Sequence, residues 1–183
     1  MSHKNNIVKK IKVCYNSTGG NMKKIIGISF ACFFLDQLIK YVINEVISLE
    51  KSIAVIGDFF HLTYVRNYGA AFNILSGNRI FLICIACVTL FVIYYFLMKD
   101  HVKNTLEQVG YGLFIGGILG NLWDRLIHGY VIDYLDFEIF QIHMPIFNYA
   151  DICICVGVFL CVIALLKEEM GWKNLQSKKK LKD

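Results

Sequence analysis

Four long apolar stretches, separated by more polar segments, organise the chain. They cover residues 25–47, 79–98, 109–127 and 147–166. Each stretch is close to the roughly 20 residues that an α-helix needs to cross a bilayer. The pattern therefore predicts one membrane domain, built as an all-α bundle of four transmembrane helices.

Composition supports a membrane protein, and the placement of charge gives an orientation. The 183 residues are 56% hydrophobic and 18% charged, which leaves little polar surface for a water-soluble globule. The net charge of +5 is concentrated near the ends, where residues 1–24 and 167–183 hold six lysines each. By the positive-inside rule both termini are cytoplasmic, and segments 48–78 and 128–146 face outward. No arginine interleaves these lysines, so they do not predict a nucleic-acid partner.

The polar ends lie outside the predicted bundle. Residues 1–21 are Lys-rich without helical periodicity and predict a disordered cytoplasmic extension. The following MKKIIGISFAC begins like a secretory signal, but its apolar run continues to Ile47, which favours an uncleaved first span. Met22 is an alternative start of translation. The membrane domain is assigned to residues 22–170, and a basic cytoplasmic tail to residues 171–183.

The cysteines do not indicate a metal or redox centre. Six of the seven fall inside predicted spans, where they are expected to act as small apolar side chains. Cys84 and Cys87 have the C-x-x-C spacing of a redox or zinc pair. Because they lie in the middle of a span with no second pair, we predict neither a metal site nor a cofactor.

Two patterns inside the spans predict helix packing. Asp36 and Lys40 lie four residues apart on one face of the first span and are expected to pair within the bundle. An ion pair that fixes packing and a catalytic role both stay open. The third span contains five glycines, which allow membrane helices to approach closely: Gly110, Gly112, Gly116, Gly117 and Gly120.

The segment between spans one and two has the character of a small sheet. Its sequence IAVIGDFFHLTYVRNYGAAF is rich in aromatic and β-branched residues, and Gly57 and Asp58 form a turn signal. This pattern predicts short antiparallel strands that lie on the outer membrane face.

Polar side chains of spans three and four are predicted to reach one depth. Asp151 lies sixteen residues from the inner end of span four, or roughly 24 Å at about 1.5 Å per residue. Counted from the inner end of span three, Asn121 and Arg125 lie roughly 18 and 24 Å up by the same rise. With Asp124 and Asn148, they form a polar layer near the outer edge of a hydrocarbon core about 30 Å thick.

A further carboxylate can come within reach of Asp151. The connection HGYVIDYLDF places Asp133 and Asp136 a few residues beyond Arg125, and Gly129 can turn the chain back toward the bundle. Two carboxylates in a poorly hydrated site cannot easily both ionise, so one keeps a proton. An aspartic peptidase needs this arrangement, because one carboxylate takes a proton from water while the other protonates the carbonyl oxygen.

Other interpretations stay open at this point. Asn148 can cap the fourth helix, and Asp151 at the third helical position then meets free backbone amides and the positive end of the helix dipole. Asp124, Asp133 and Asp136 form an acidic run of the kind that could hold divalent cations in a metal-dependent membrane lipid-phosphate transferase. Buried charges also suit a proton-coupled transporter, although here they are confined to one membrane face.

Four ordered blocks of residues carry a family resemblance. They are DQLIK at 36–40, VRNYGAAF at 65–72, GNLWDRLIHGYVIDYLDF at 120–137 and FNYAD at 147–151. Over about residues 22–170 the chain resembles the bacterial lipoprotein signal peptidases, also called signal peptidase II. The resemblance implies a hydrolase, a membrane aspartic endopeptidase with four helices and a small β-cradle on its outer face.

The resemblance also implies roles for particular residues. The catalytic dyad of the family maps to Asp133 and Asp151. The supporting polar positions map to Asn67, Asn121, Arg125 and Asn148. As a separate hypothesis, Gly69, Ala70 and Ala71 are small enough to form a loop that folds over the substrate. Asp36 and Asp124 also match the family and are assigned to structure or orientation, and Lys40 is assigned to structure with them.

The implied substrate is a prolipoprotein that carries diacylglycerol on its lipobox cysteine, with cleavage just before that cysteine. The enzyme is then expected in the bacterial cytoplasmic (inner) membrane, in contact with membrane lipid, as a monomer with its active site near the outer leaflet. No cofactor is implied. Tyr134 departs from the Phe that commonly follows the first catalytic Asp, but it keeps an aromatic ring.

Overall fold

Four helices and four short strands make up the described chain. The computed structural model describes residues 2–70, 74–99, 102, 104–140 and 142–180, without the side chains of residues 2–21, 99 and 171–180. The helices are α1 (Ser2–Val46), α2 (Arg79–Lys99), α3 (Thr105–Ile127) and α4 (Tyr149–Lys180). The strands are β1 (Ser52–Ile56), β2 (Phe60–Asn67), β3 (Val131–Ile139) and β4 (Ile142–His143).

Helix α1 differs from the prediction at its start. The sequence predicts a disordered extension over residues 1–21, whereas the structure continues the first helix back to Ser2. This segment contains no proline, and extending an existing helix costs far less free energy than starting one. The boundary between extension and membrane domain at Met22 stays a prediction.

The starts of α3 and α4 are set by asparagine caps. The side chain of Asn104 accepts a hydrogen bond from the backbone N–H of Glu107 at 2.7 Å, so α3 begins at Thr105 and not at 109. Helix α4 begins at Tyr149, two residues later than the predicted span, because Asn148 caps it. Both asparagines satisfy N–H groups that have no partner within the helix.

Three of the described helices are long and apolar enough to cross a membrane. They are the segments Met22–Val46, Arg79–Met98 and Tyr149–Met170. Helix α3 is not among them, since its glycines and the polar residues of its second half lower its mean hydropathy. The fold is therefore mostly helical, with three apolar membrane-span candidates and a small antiparallel sheet.

The sheet confirms the strands predicted between the first two spans and adds a second hairpin. Its order is β1-β2-β3-β4, with antiparallel neighbours. The predicted turn contains Gly57 in a left-handed conformation (φ 46°). Between β2 and β3, Asn67 pairs with Val131 and Val65 pairs with Asp133. Asn67 and Asp133 are therefore diagonal neighbours on one face of the sheet.

Two buried clusters join the sheet and the helices. One cluster packs the sheet against the end of α1 and consists of Ile43, Ile47, Tyr64, Ile132 and Tyr134. The other joins α1, α2 and α3 and consists of Ile25, Ile93, Leu97 and Ile118. The first cluster includes Ile132 and Tyr134, so it fixes strand β3 over the bundle and determines where Asp133 between them points.

Helix α3 packs against each of the other three helices, and its glycines allow the close approach to α1 and α4. A Cβ atom at Gly116 would lie 2.7 Å from Cβ of Cys32 in α1, and one at Gly117 would overlap the backbone of Ala150 in α4. Such distances leave no room for a side chain. The close packing predicted for this span is confirmed.

Candidate active site

Two carboxylates reach one site from different elements. Asp133 lies in β3, and Asp151 is the third residue of α4. Asn148 contacts both. Its Nδ2 donates to Asp133 Oδ1 at 2.6 Å, and its Oδ1 accepts from the backbone N–H of Asp151 at 3.1 Å. The side chain of Asn148 therefore links strand β3 to the start of helix α4.

Asn148 and Asp151 cap the helix reciprocally. Besides the bond from the Asp151 backbone, the backbone N–H of Asn148 donates to Asp151 Oδ2 at 3.2 Å. The predicted capping geometry is thus confirmed. The cap engages only Oδ2 of Asp151. The other oxygen, Oδ1, accepts from Nδ2 of Asn121 at 2.7 Å.

Asp133 is almost fully buried, with 2% of its surface exposed. Its second oxygen, Oδ2, accepts from Nδ2 of Asn67 at 2.8 Å. Burial, and after it the negative charge of Asp151, raises the pKa of Asp133 to about 7, although hydrogen bonds from Asn67 and Asn148 oppose part of the rise. Near neutral pH, Asp133 is therefore present in both its protonated and its ionised form.

Arg125 ties the site to the loop after β2. Its guanidinium donates to the backbone oxygen of Gly69 at 2.9 Å and to that of Asn121 at 3.2 Å. The same loop is closed by Asn67, whose Oδ1 accepts from the N–H of Gly69 at 2.9 Å. Ala70 lines the adjoining cavity, and Ala71, which completes the predicted substrate loop, lies outside the described residues.

A cavity of about 540 Å³ opens beside the two carboxylates. One end is polar and is lined by Asn67, Asn121, Arg125, Asp133 and Asp151. From there it extends between α2, α3 and α4 along mainly apolar side chains, including Leu82, Ile85, Phe114, Ile118 and Ile154. The site can therefore hold a ligand that is polar at one end and apolar along its length.

Next to the site lies a buried ion cluster, formed by Asp36, Lys40 and Asp124. The exposed fractions of these three side chains are 0%, 2% and 1%. Lys40 Nζ lies 2.8 Å from Asp36 Oδ2, as the spacing predicts, and 2.9 Å from Asp124 Oδ2. It also donates to Asn121 Oδ1 at 3.0 Å. The cluster thus touches the polar layer without lining the cavity.

The structure brings together the predicted site residues and separates Asp136 from them. Asp136 accepts from the hydroxyl of Thr63 at 2.7 Å on the sheet, and Asp124 belongs to the buried ion cluster. The acidic run expected of a metal-dependent transferase is therefore dispersed. Among the described residues, no group of three or more His, Cys, Asp or Glu side chains has a geometry that could hold a metal ion.

Two supporting residues were missed by sequence reasoning. Nε2 of Gln37 donates to Asp124 Oδ1 at 3.0 Å and also contacts Asp36. The guanidinium of Arg79, at the start of α2, donates to the backbone oxygens of Arg125 and Leu126. The contacts of Gln37 with Asp124 and of Arg79 with α3 join residues more than 40 positions apart, so no local pattern indicates them.

Comparisons with known proteins match the chain to one family. Residues 28–167 match the family described as signal peptidase (SPase) II. A lipoprotein signal peptidase of Histophilus somni (strain 129Pt) is 42% identical over 145 residues, covering 77% of this chain and 87% of that protein. One from Haemophilus influenzae is 39% identical over 166 residues, with coverages of 86% and 95%. One from Staphylococcus aureus is 41% identical over 143 residues, with coverages of 78% and 88%.

A solved structure has the same fold. It is described as a bacterial membrane enzyme obtained by the in meso method at 2.3 Å resolution, and it matches with a TM-score of 0.73 and 40% sequence identity. The match covers 79% of this chain and 88% of the other. The chain therefore belongs to the signal peptidase II family of lipoprotein signal peptidases, and it is a peptidase.

Proposed function

We propose that the chain cleaves diacylglyceryl-modified prolipoproteins just before the lipid-modified cysteine, with Asp133 and Asp151 as the two catalytic carboxylates. The observation that carries this proposal is their joint position at the polar end of one cavity. Asn148 contacts both, and each has a further amide donor of its own.

The different surroundings of the two acids suggest different roles. Asp133 is buried, and its raised pKa, near 7, favours the protonated form. It is therefore assigned as the proton donor to the scissile carbonyl oxygen. Asp151 is partly exposed, whereas Asp133 is buried, and Asp151 is assigned as the base that takes a proton from water.

In the first step, the oxygen of a water molecule bonds to the scissile carbonyl carbon. Asp151 takes one proton of that water, and Asp133 gives its proton to the carbonyl oxygen, which leaves a tetrahedral diol. In the second step, Asp151 gives its proton to the departing nitrogen as the C–N bond breaks. Asp133 recovers a proton from the diol, so both acids return to their starting forms.

Arg125, Asn67 and Gly69 are proposed to support the substrate. Arg125 lines the cavity, and its guanidinium already contacts the Gly69 oxygen. Asn67 joins the same loop to Asp133. Movement of the loop on substrate binding is therefore coupled to one of the carboxylates. The apolar extension of the cavity suits the hydrophobic parts of a lipid-anchored peptide.

Residues 22–170 are proposed to form a catalytic unit with four spans. Helix α3 is assigned as the fourth, because its polar residues Gln108, Asn121 and Asp124 are buried, as expected of polar groups within a membrane bundle. Both termini then face the cytoplasm of a bacterial inner membrane, with the dyad near the outer leaflet. One chain supplies both carboxylates and all of these contacts, which supports a monomer.

The test uses the purified full chain in detergent and a diacylated prolipoprotein, with chelator and no added metal. Asp133→Asn and Asp151→Asn are each expected to preserve folding and to abolish cleavage. Thr63→Ala is the control, because Thr63 contacts Asp136, which lies outside the site. Near-normal turnover by either Asn variant would contradict the assignment of the dyad.

The alternatives predict other outcomes in the same assay. A metal-dependent membrane lipid-phosphate transferase would lose its activity in chelator and regain it with Mg²⁺. A proton-coupled transporter would leave the prolipoprotein uncut under all conditions. Cleavage that persists in chelator and needs both aspartates supports the aspartic mechanism alone.

A further inference from the structure

The backbone immediately before each dyad residue is held by a buried acid. On β3, the N–H of Ile132 donates to Asp124 Oδ2 at 3.2 Å. On α4, the N–H of Ala150 donates to Asp36 Oδ1 at 3.0 Å. These two residues are the direct predecessors of the two catalytic carboxylates. The same kind of contact thus occurs at equivalent places on a strand and on a helix.

Lys40 joins the two acids to each other and to the site. Its Nζ lies between Asp36 and Asp124, and it also donates to Asn121 Oδ1 at 3.0 Å. Nδ2 of Asn121 in turn donates to Asp151 Oδ1 at 2.7 Å. A continuous chain of hydrogen bonds therefore runs from the cluster to one reacting carboxylate.

We infer that the buried ion cluster is a positioning device for the reaction, which fixes the backbone of β3 and of α4 relative to each other and orients the Asp151 side chain through Asn121. This inference rests on the proposed function, because it takes Asp133 and Asp151 as the reacting groups. The cluster acts through the residues that it holds, since its members do not line the cavity.

Stability alone does not account for three buried charges at this place. Replacing a buried ion pair by well-packed apolar residues is often neutral or stabilising, because the charges lose their hydration. Charged acceptors do, however, fix hydrogen-bond distance and direction more strongly than neutral ones. A carboxylate that accepts at once from Lys40 and from a backbone N–H is suited to orientation, and small misplacements of reacting groups are costly to turnover.

The first test compares two substitutions at each acid. Asp36→Ala and Asp124→Ala remove the acceptor of the backbone N–H, whereas Asp36→Asn and Asp124→Asn keep one oxygen for it. Per folded enzyme, we expect the Ala variants to lose on the order of 100-fold in kcat. We expect kcat of the Asn variants to be roughly tenfold higher than kcat of the Ala variants, which corresponds to one ordinary hydrogen bond. KM for the prolipoprotein should stay within about twofold, since the cavity is unchanged.

The second test measures the pH dependence of kcat. Its position on the pH scale does not change when only the amount of folded protein falls. The charged groups that act on Asp133 are Asp151 of α4, Lys40 of α1 and Arg125 of α3. The charge of Lys40 lowers the pKa of Asp133. In Lys40→Met this pKa is expected to rise, so the fall in kcat on the alkaline side should move to higher pH. If Lys40→Met does not fold, the comparison of the Asn and Ala variants at Asp36 and Asp124 tests the inference by itself.

Ser29→Ala is the matched control. Ser29 is also a buried polar residue of α1, and its hydroxyl donates to the Ile25 oxygen one turn earlier. This variant should keep the kcat, KM and pH profile of the parent. The inference is overturned if folded Asp36→Ala and Asp124→Ala keep at least half of the parental kcat, or if the Asn and Ala variants lose activity equally. Such results would leave the dyad intact, whereas activity in Asp133→Asn or Asp151→Asn would reject the dyad itself.

Discussion

At the scale of single residues, the proton on Asp133 has a measurable consequence. Its pKa is raised from 3.8 to about 7, mainly by burial. The protonated form is required if Asp133 is the acid, so we expect kcat/KM for the prolipoprotein to fall as pH rises through about 7. The folded protein also binds this proton more tightly than the unfolded chain. The resulting stabilisation is complete below pH 3.8 and is lost as pH rises through about 7.

Asn67→Ala tests the cause of this profile. The Nδ2 of Asn67 stabilises the ionised form of Asp133, so its removal should raise the pKa and move the alkaline fall in kcat/KM to higher pH. A fall that stays in place, or moves to lower pH, contradicts the assignment of Asp133 as the titrating acid. The comparison uses only the pH at which kcat/KM falls, so it does not depend on how much activity Asn67→Ala keeps.

Tyr134 gains a role that its aromatic ring alone does not indicate. Its hydroxyl accepts from the backbone N–H of Tyr149 at 3.1 Å, which satisfies the first amide of α4. Tyr134→Phe keeps the packing and removes this acceptor. We expect a loss of about 1 kcal/mol in stability, or about 2–4 °C in the unfolding midpoint. Because Asn148 and Asp36 still hold the start of α4, kcat should change by less than twofold. An unchanged midpoint would show that water replaces the bond.

At the scale of elements, the approach of α3 to α4 depends on glycine. A Cβ at Gly117 would overlap the backbone oxygen of Ala150 and would lie 2.9 Å from a side-chain carbon of Ile154. Gly117→Ala is therefore expected to push the start of α4 away, with a cost of about 1–3 kcal/mol and a lower kcat. Gly27→Ala in α1 is the control, because a Cβ there meets nothing within 4 Å. Equal stability of the two variants in thermal unfolding would contradict the argument.

The elements also show how far sequence patterns reach. Apolar length located all four helices, and β-branched and aromatic residues located β1 and β2. The strand β3 was not located by pattern, although VIDYLDFEI is rich in the same residue types, because its pairing with β2 joins segments some 70 positions apart. The sequence predicts a disordered extension over residues 1–21, whereas the structure contains a helix from Ser2 onward.

For the site, depth along the helices predicted the polar layer, and the family resemblance named the dyad. Sequence alone left Asp133 and Asp136 as alternatives. Strand register distinguishes them, because Asp133 lies diagonal to Asn67. The spacing of Asp36 and Lys40 predicted one ion pair correctly. The sequence assigns the second partner, Asp124, to structure or orientation, but its contact with Lys40 depends on how α1 packs against α3 and has no local signal.

At the scale of the whole molecule, the proposed orientation can be tested in spheroplasts. Tags at the two termini should be protected from an externally added protease, whereas a tag inserted between Gly57 and Asp58 should be cleaved. The turn lies in the exposed β1–β2 hairpin, and the lysine-rich ends are expected inside. Permeabilised cells provide the control, since all three tags should then be cut. A terminal tag cut from outside would contradict four spans with both ends in the cytoplasm.

The buried ion cluster also has a consequence for biogenesis. Helix α1 carries both Asp36 and Lys40, so this pair enters the bilayer with no net charge and at lower cost than an isolated carboxylate. Asp124 arrives later, because α3 is synthesised after α1 and α2. The contacts that align β3 with α4 can therefore form only once the last helix has been inserted. If Asp133 and Asp151 are the catalytic pair, a newly made chain is expected to stay inactive until its assembly in the membrane is complete.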